Sequence, residues 1–198
     1  MRIRVLLLVS ILLILSACSK RIIFEVPKDL TIKVATANKA VCSYKGRISV
    51  IYEKGEENVR FRGYLNKDCA DNFRLKILGL FNTVAYDIVY EDGEVKADKK
   101  GEDVSLEMAY FMKSKGLDSM VSLIRYPHVN VDKTFKTSAV GDEFIMTKGV
   151  ITVGAGEDYL IKWIKFGSNE SFSYSYNEGK LSGLTYTDGK TKMEIKLR

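Results

Sequence analysis

The chain has 198 residues but only one histidine, two prolines, one tryptophan and three cysteines. Each scarcity excludes something. Two prolines and no low-complexity run argue against disorder. A single histidine leaves any Ser-His or Cys-His catalytic pair to be built on His128 alone, and a lone histidine in a loop after Pro127 reads as solvated. No Gly-x-Ser-x-Gly, Walker or dinucleotide fingerprint is present, and Gly154-Ala155-Gly156 reads as a turn between strands with no helix behind it to cradle a phosphate. Charge of one sign is scarce as well. Without Arg2 and Arg4 the balance falls from 31 basic against 25 acidic to 29 against 25, too mild to imply nucleic acid. No apolar run is long enough to span a bilayer as an ordinary helix. The expectation is a non-enzymatic protein with no cofactor and no metal site.

What is present begins at the N-terminus. Met1 to Arg4 is basic, Val5 to Leu15 is apolar but for Ser10, and Leu15-Ser16-Ala17-Cys18 follows, the pattern of a signal peptide over residues 1–17. The last four residues resemble the lipobox of bacterial lipoproteins, which makes Cys18 the site of lipidation, with palmitate-like acyl chains. Each buried acyl methylene contributes about 0.8 kcal/mol, so several chains together hold a protein on a membrane almost permanently. Residues 18–28 read as lipidated cysteine and tether, and residues 29–198 as a single domain.

Leu30, Val34, Ala37 and Val41 recur at helical spacing. From Tyr44 the period becomes two. Folding the chain between Gly55 and Glu56 sets Val50 opposite Phe61 and Tyr52 opposite Val59, and the same register sets Cys42 opposite Cys69. In an oxidising compartment that pair reads as a disulfide closing the hairpin; two free thiols or a metal site are the alternatives. A second hairpin, folded between Leu80 and Phe81, pairs Ile77 with Val84, Leu75 with Tyr86 and Phe73 with Ile88, and puts Arg74 opposite Asp87. Its tip, Gly79 to Asn82, carries Leu80 and Phe81 where water is expected.

Helical chemistry returns with Val104, Met108, Phe111 and Met112 on one face, Asp103 as cap and Gly116 as stop. A short helix with Met120, Leu123 and Ile124 ends before Pro127. The remainder reads as strands: Thr134 to Val140, Phe144 to Val153, Asp158 to Phe166, Glu170 to Tyr176, Lys180 to Tyr186 and Lys190 to Leu197. The fold class is mainly β with helices (α+β), a strongly bent antiparallel sheet or unclosed barrel of about eleven strands with helices on its concave face. Val50, Phe61, Phe73, Leu75, Ile77, Val84, Tyr86 and Ile88 form one apolar face, and with Met108, Phe111 and Met112 they are the candidate lining of an apolar cavity. A solid core, with the methionines as filler, is the competing reading. Lys45, Arg47, Arg60, Arg62, Arg74 and Lys76 fall on the other face, solvated or near anionic head groups.

The lipobox, the first helix, Lys45-Gly46-Arg47, Phe73-Arg74-Leu75-Lys76-Ile77 leading through an apolar tip into Thr83-Val84-Ala85-Tyr86, and the closing Leu184 to Leu197 together resemble LolB, the outer-membrane lipoprotein receptor family. That resemblance implies an eleven-strand unclosed barrel with a helical lid, which receives acyl chains of lipoproteins from a LolA-like periplasmic carrier and releases them into the outer membrane. It also implies a membrane-touching tip, here Phe81 with Leu80 beside it. The expected setting is the bacterial envelope, lipid-anchored in the outer membrane and facing the periplasm; Ser19 is not the aspartate that retains enteric lipoproteins in the inner membrane. The expected state is a monomer. The alternative function is a structural or protein-interaction lipoprotein of the same fold with a filled core.

Overall fold

In the computed structural model, residues 25–115 and 118–198 are described. The signal peptide, Cys18, most of the tether and the Gly116 stop lie outside the described residues. Helix α1, Leu30–Ala40, turns Leu30, Val34 and Asn38 inward at i, i+4 and i+8. Strands β1 (Tyr44–Lys54) and β2 (Glu57–Lys67) are joined by a two-residue turn in which Gly55 has φ +59, and they pair Val50 with Phe61 and Tyr52 with Val59. A disulfide joins Cys42 and Cys69 across the open end of this hairpin, with Cα atoms 5.1 Å apart.

Strands β3 (Phe73–Leu78) and β4 (Val84–Glu91) form the second hairpin in a register two residues from the predicted one. Phe73 faces Tyr90, Leu75 faces Ile88, and Ile77 faces Tyr86. The cause is the tip. Leu80–Asn82 make a 3-10 turn closed by Gly79 N–H to the Thr83 carbonyl (2.8 Å), and a register irregularity between Ile77 and Leu78 leaves Val84 opposite Leu78. Because side chains alternate with period two, a slip of two changes the partners and leaves each residue on its predicted face. Arg74 sits opposite Val89, yet reaches diagonally to Asp87 with bonds of 2.7 and 2.6 Å. Asp92 and Gly93, both with positive φ, turn the chain into β5 (Glu94–Lys99).

A two-residue strand β6 (Glu102–Asp103) precedes helix α2, Ser105–Lys115, where Asp103 accepts bonds from the Ser105 N–H and hydroxyl. Helix α3 spans Asp118–Ile124. The second half is a meander: β7 (Lys136–Val140), β8 (Glu143–Lys148), β9 (Ile151–Ala155), β10 (Ile161–Phe166), β11 (Glu170–Asn177), β12 (Lys180–Thr187) and β13 (Thr191–Leu197). The predicted single strand Phe144 to Val153 is two strands, because Gly149, at φ +59, breaks it. Gly154 belongs to β9 rather than to a turn, and a Cβ there would overlap the Trp163 indole, so glycine lets the indole lie flat across the strand.

Among the described residues all thirteen strands make one antiparallel sheet in the order β6-β5-β4-β3-β2-β1-β13-β12-β11-β10-β9-β8-β7. It exceeds the expected eleven by the short β6 and by the division of β8 from β9. Its ends, β6 and β7, are not paired with each other, so the curved sheet stays unclosed, and the helices bury their apolar faces in the same core as its inner residues.

Candidate functional site

The core is filled at one end of the sheet and hollow at the other. At the disulfide end, Leu65, Leu75, Leu123 and Ile124 are fully buried and Phe73 stacks on Tyr90 with ring centroids 5.1 Å apart. Lys67 anchors this end: its buried ammonium donates to the carbonyls of Cys42 (2.9 Å), Asp68 (2.8 Å) and Tyr126 (3.0 Å), which uses all three of its protons.

At the opposite end, where the β1–β2, β3–β4 and β5–β6 turns gather, inward side chains enclose a cavity of about 750 Å³. That lies inside the range of about 300–1,000 Å³ usual for small-molecule sites. The sheet supplies Val50 and Tyr52 from β1, Val59 and Phe61 from β2, Ile77 from β3, Tyr86 and Ile88 from β4, and Met193 from β13. Val104, just before α2, and Met108, Phe111 and Met112 on it cover the cavity, and α3 adds Met120. Glu57, Asn58, Lys99 and Glu107 are the polar members of the wall. The Lys99 ammonium stands 5.6 Å from the Tyr86 ring centroid. Four of the six methionines line this space, and a flexible, polarisable thioether adapts to a chain without fixed shape.

The structure places eight residues of the predicted lining around the cavity: Val50, Phe61, Ile77, Tyr86, Ile88, Met108, Phe111 and Met112. It does not bring Phe73, Leu75 or Val84 there. Phe73 and Leu75 lie on the filled half of β3, and Val84 is exposed beside the tip. Sequence reasoning missed Tyr52, Val59, Val104, Met120 and Met193 as wall residues, and the polar rim with them. The alternation of β13 marks Met193 as inward, but nothing local says that β13 pairs with β1 and sets Met193 opposite Tyr52.

At the tip, Leu80 is 82% and Phe81 96% exposed. Phe81 and Asn82 have φ of 56° and 59°, a left-handed backbone that costs a non-glycine residue roughly 1 kcal/mol or more. Thr83 holds the turn by donating its N–H (3.2 Å) and hydroxyl (2.8 Å) to the Leu80 carbonyl. Strand β3 enters this turn just after Ile77, and β4 leaves it just before Tyr86, so the tip stands directly beyond two cavity-wall residues. A second exposed apolar pair lies on α2, where Leu106 is 83% and Tyr110 76% exposed.

His128 departs from its predicted solvation. It is half-buried, with ring centroids 5.0 Å from Phe172 and 5.6 Å from Phe166, and burial pushes its pKa below the usual imidazole value. Among the described residues no cluster of three metal-ligating side chains occurs, and no helix is long and apolar enough to cross a membrane.

No family model and no curated protein matches the sequence. Solved structures match the fold. A LolA superfamily protein from Nitrosomonas europaea superposes with a TM-score of 0.51 at 10% identity, over 86% of this chain and 93% of that one. The two chains share a fold. A provisionally assigned outer membrane lipoprotein-sorting domain from Vibrio parahaemolyticus gives a TM-score of 0.47 at 7% identity, over 84% and 88% of the two chains. A DUF1329 family protein from Desulfovibrio piger gives 0.44 at 9% identity, over 86% and 89%. In this chain the sheet of that fold carries its apolar cavity at the end where the exposed tip and α2 lie.

Proposed function

We propose that this chain is a lipid-anchored envelope protein that takes acyl chains into its cavity and passes them, or the lipoproteins that bear them, to the outer membrane. The observation that carries the proposal is the methionine-rich apolar cavity of about 750 Å³ with exposed apolar side chains at its open end. A filled core would leave no such space. The wall is almost wholly apolar, which suits the binding of an acyl chain.

In this reading Cys18 carries the permanent anchor, a LolA-like carrier delivers the cargo to a monomer, and Leu80 and Phe81 enter the bilayer transiently. Burying both tip side chains would contribute at most about 3–6 kcal/mol, enough for insertion and weak enough for release. Two measurements test it. Displacement of a fluorescent fatty acid should be saturable, and a wild-type protein with no saturable binding would sink the acyl-chain reading. Phe81→Glu should abolish delivery to vesicles while leaving that binding intact, and delivery that survives the change removes the tip from the mechanism.

A further inference from the structure

Helix α2 carries apolar side chains on two faces, and only one of them has a use inside the protein. Met108, Phe111 and Met112 line the cavity. Leu106 and Tyr110, one turn apart, point into solvent at 83% and 76% exposure. Phe111 belongs to both faces: it is half-exposed and also part of the wall, so an apolar strip runs from outside the helix across the mouth and into the cavity. Val104, just before α2, donates its N–H to the Ala97 carbonyl, which ties the start of the helix to β5 opposite Ile88 of the cavity wall.

We infer that the outer face of α2 is a second bilayer contact, which with the Leu80-Phe81 tip seats the cavity mouth on the lipid surface. The inference rests on the acyl-transfer reading above and adds to it an orientation. A mouth held against the head groups lets a chain leave the cavity without crossing water.

Two observations favour a bilayer over a protein or a second copy as the occupant. Cys18 precedes Glu25, the first described residue, by seven positions, a span of at most about 25 Å, so an anchored body stays within about a domain's width of the membrane. The exposed side chains are also of the interfacial kind: leucine and phenylalanine for the hydrocarbon, and a tyrosine whose hydroxyl reaches the head-group level. They stand on two separate elements that each carry cavity-wall residues, the tip between Ile77 and Tyr86 and α2 beside Glu107 and Phe111, which suits a broad fluid surface.

The test uses the lipidated full-length protein on phosphatidylethanolamine–phosphatidylglycerol vesicles containing brominated acyl chains. Trp163 on β10 is the only native tryptophan, so Tyr110→Trp and Phe81→Trp each add one reporter. Emission from position 110 should be quenched at least about twofold relative to the parent, as at position 81, and Leu106→Ser with Tyr110→Ser should slow delivery by roughly tenfold or more with fatty-acid displacement unchanged. Quenching at 81 without quenching at 110 overturns the inference and leaves the tip standing. Shielding of position 110 that disappears on dilution among empty vesicles, with no bromine quenching, assigns the face to a second copy and also overturns it. Failure of fatty-acid displacement in the wild type would defeat the function instead, since the quenching reads orientation independently of cargo.

Discussion

Asn38 sits on a helix face whose other inward residues are Leu30 and Val34, and its amide is fully engaged. It donates to the carbonyls of Val34 (2.6 Å) and Tyr159 (3.0 Å) and accepts from the Ile161 N–H (3.0 Å) and the Tyr126 hydroxyl. Tyr126 lies 2.5 Å from the Tyr176 hydroxyl, which donates to the Ile161 carbonyl (2.6 Å), so one side chain ties α1 to β10 and to the segment after α3. Burial pushes the Tyr126 and Tyr176 hydroxyls well above the ordinary phenol range, so both stay protonated as donors. Asn38→Ala leaves the Ile161 N–H and the Tyr159 carbonyl without a side-chain partner, and each buried group left unpaired costs about 1–3 kcal/mol. The expected result is a lower urea midpoint at unchanged slope; a wild-type midpoint would mean that water replaces the amide. A helical period announces an inward position but not that a polar residue completes it, so neither Asn38 nor the buried Lys67 is legible before the distant carbonyls they serve are in place.

The hairpins were legible as elements because alternation and turn chemistry are local. The register of β1 and β2 follows from Gly55 at a two-residue turn, whereas that of β3 and β4 slips by two because a 3-10 turn and a register irregularity cannot be counted from alternation. The Cys42–Cys69 bridge depends on the first of these registers. Its 27-residue separation is worth about 3–4 kcal/mol in the chain-entropy model, so Cys42→Ser with Cys69→Ser should lower stability by about that amount in chemical denaturation under non-reducing conditions. Because the bridge closes the filled end of the core, fatty-acid binding at the other end should persist below the new midpoint. Loss of binding together with the bridge would mean that the two ends are coupled.

At the scale of the molecule, the class of sheet and the helices over it could be read from the chain, and so could most of the cavity's wall on β1–β4 and α2. The hollow itself could not. Whether inward side chains meet or leave space depends on how far α2 and α3 stand from the sheet, which no periodicity encodes. The division of one core into a filled half and an empty half is likewise set by helix placement, and it separates Phe73 and Leu75 from Ile77 on a single strand.

Every sheet neighbour but one is also a neighbour in sequence, the exception being β1 with β13, where Ile48 meets Leu197 and Val50 meets Ile195. The sheet is therefore two local meanders stitched along one long-range seam, and that seam, with the greatest separation in sequence, is expected to close last. The meanders can form early, and the hollow, whose wall draws Tyr52 from one side of the seam and Met193 from the other, is completed only when the seam closes. Ile195→Ala should accordingly speed unfolding while changing the refolding rate by less than about twofold, measured by stopped-flow fluorescence; a proportionate fall in the refolding rate would place the seam in the nucleus. Until that seam closes, the unpaired edges of β1 and β13 are open to pairing with other chains, a hazard that closure removes from these two strands.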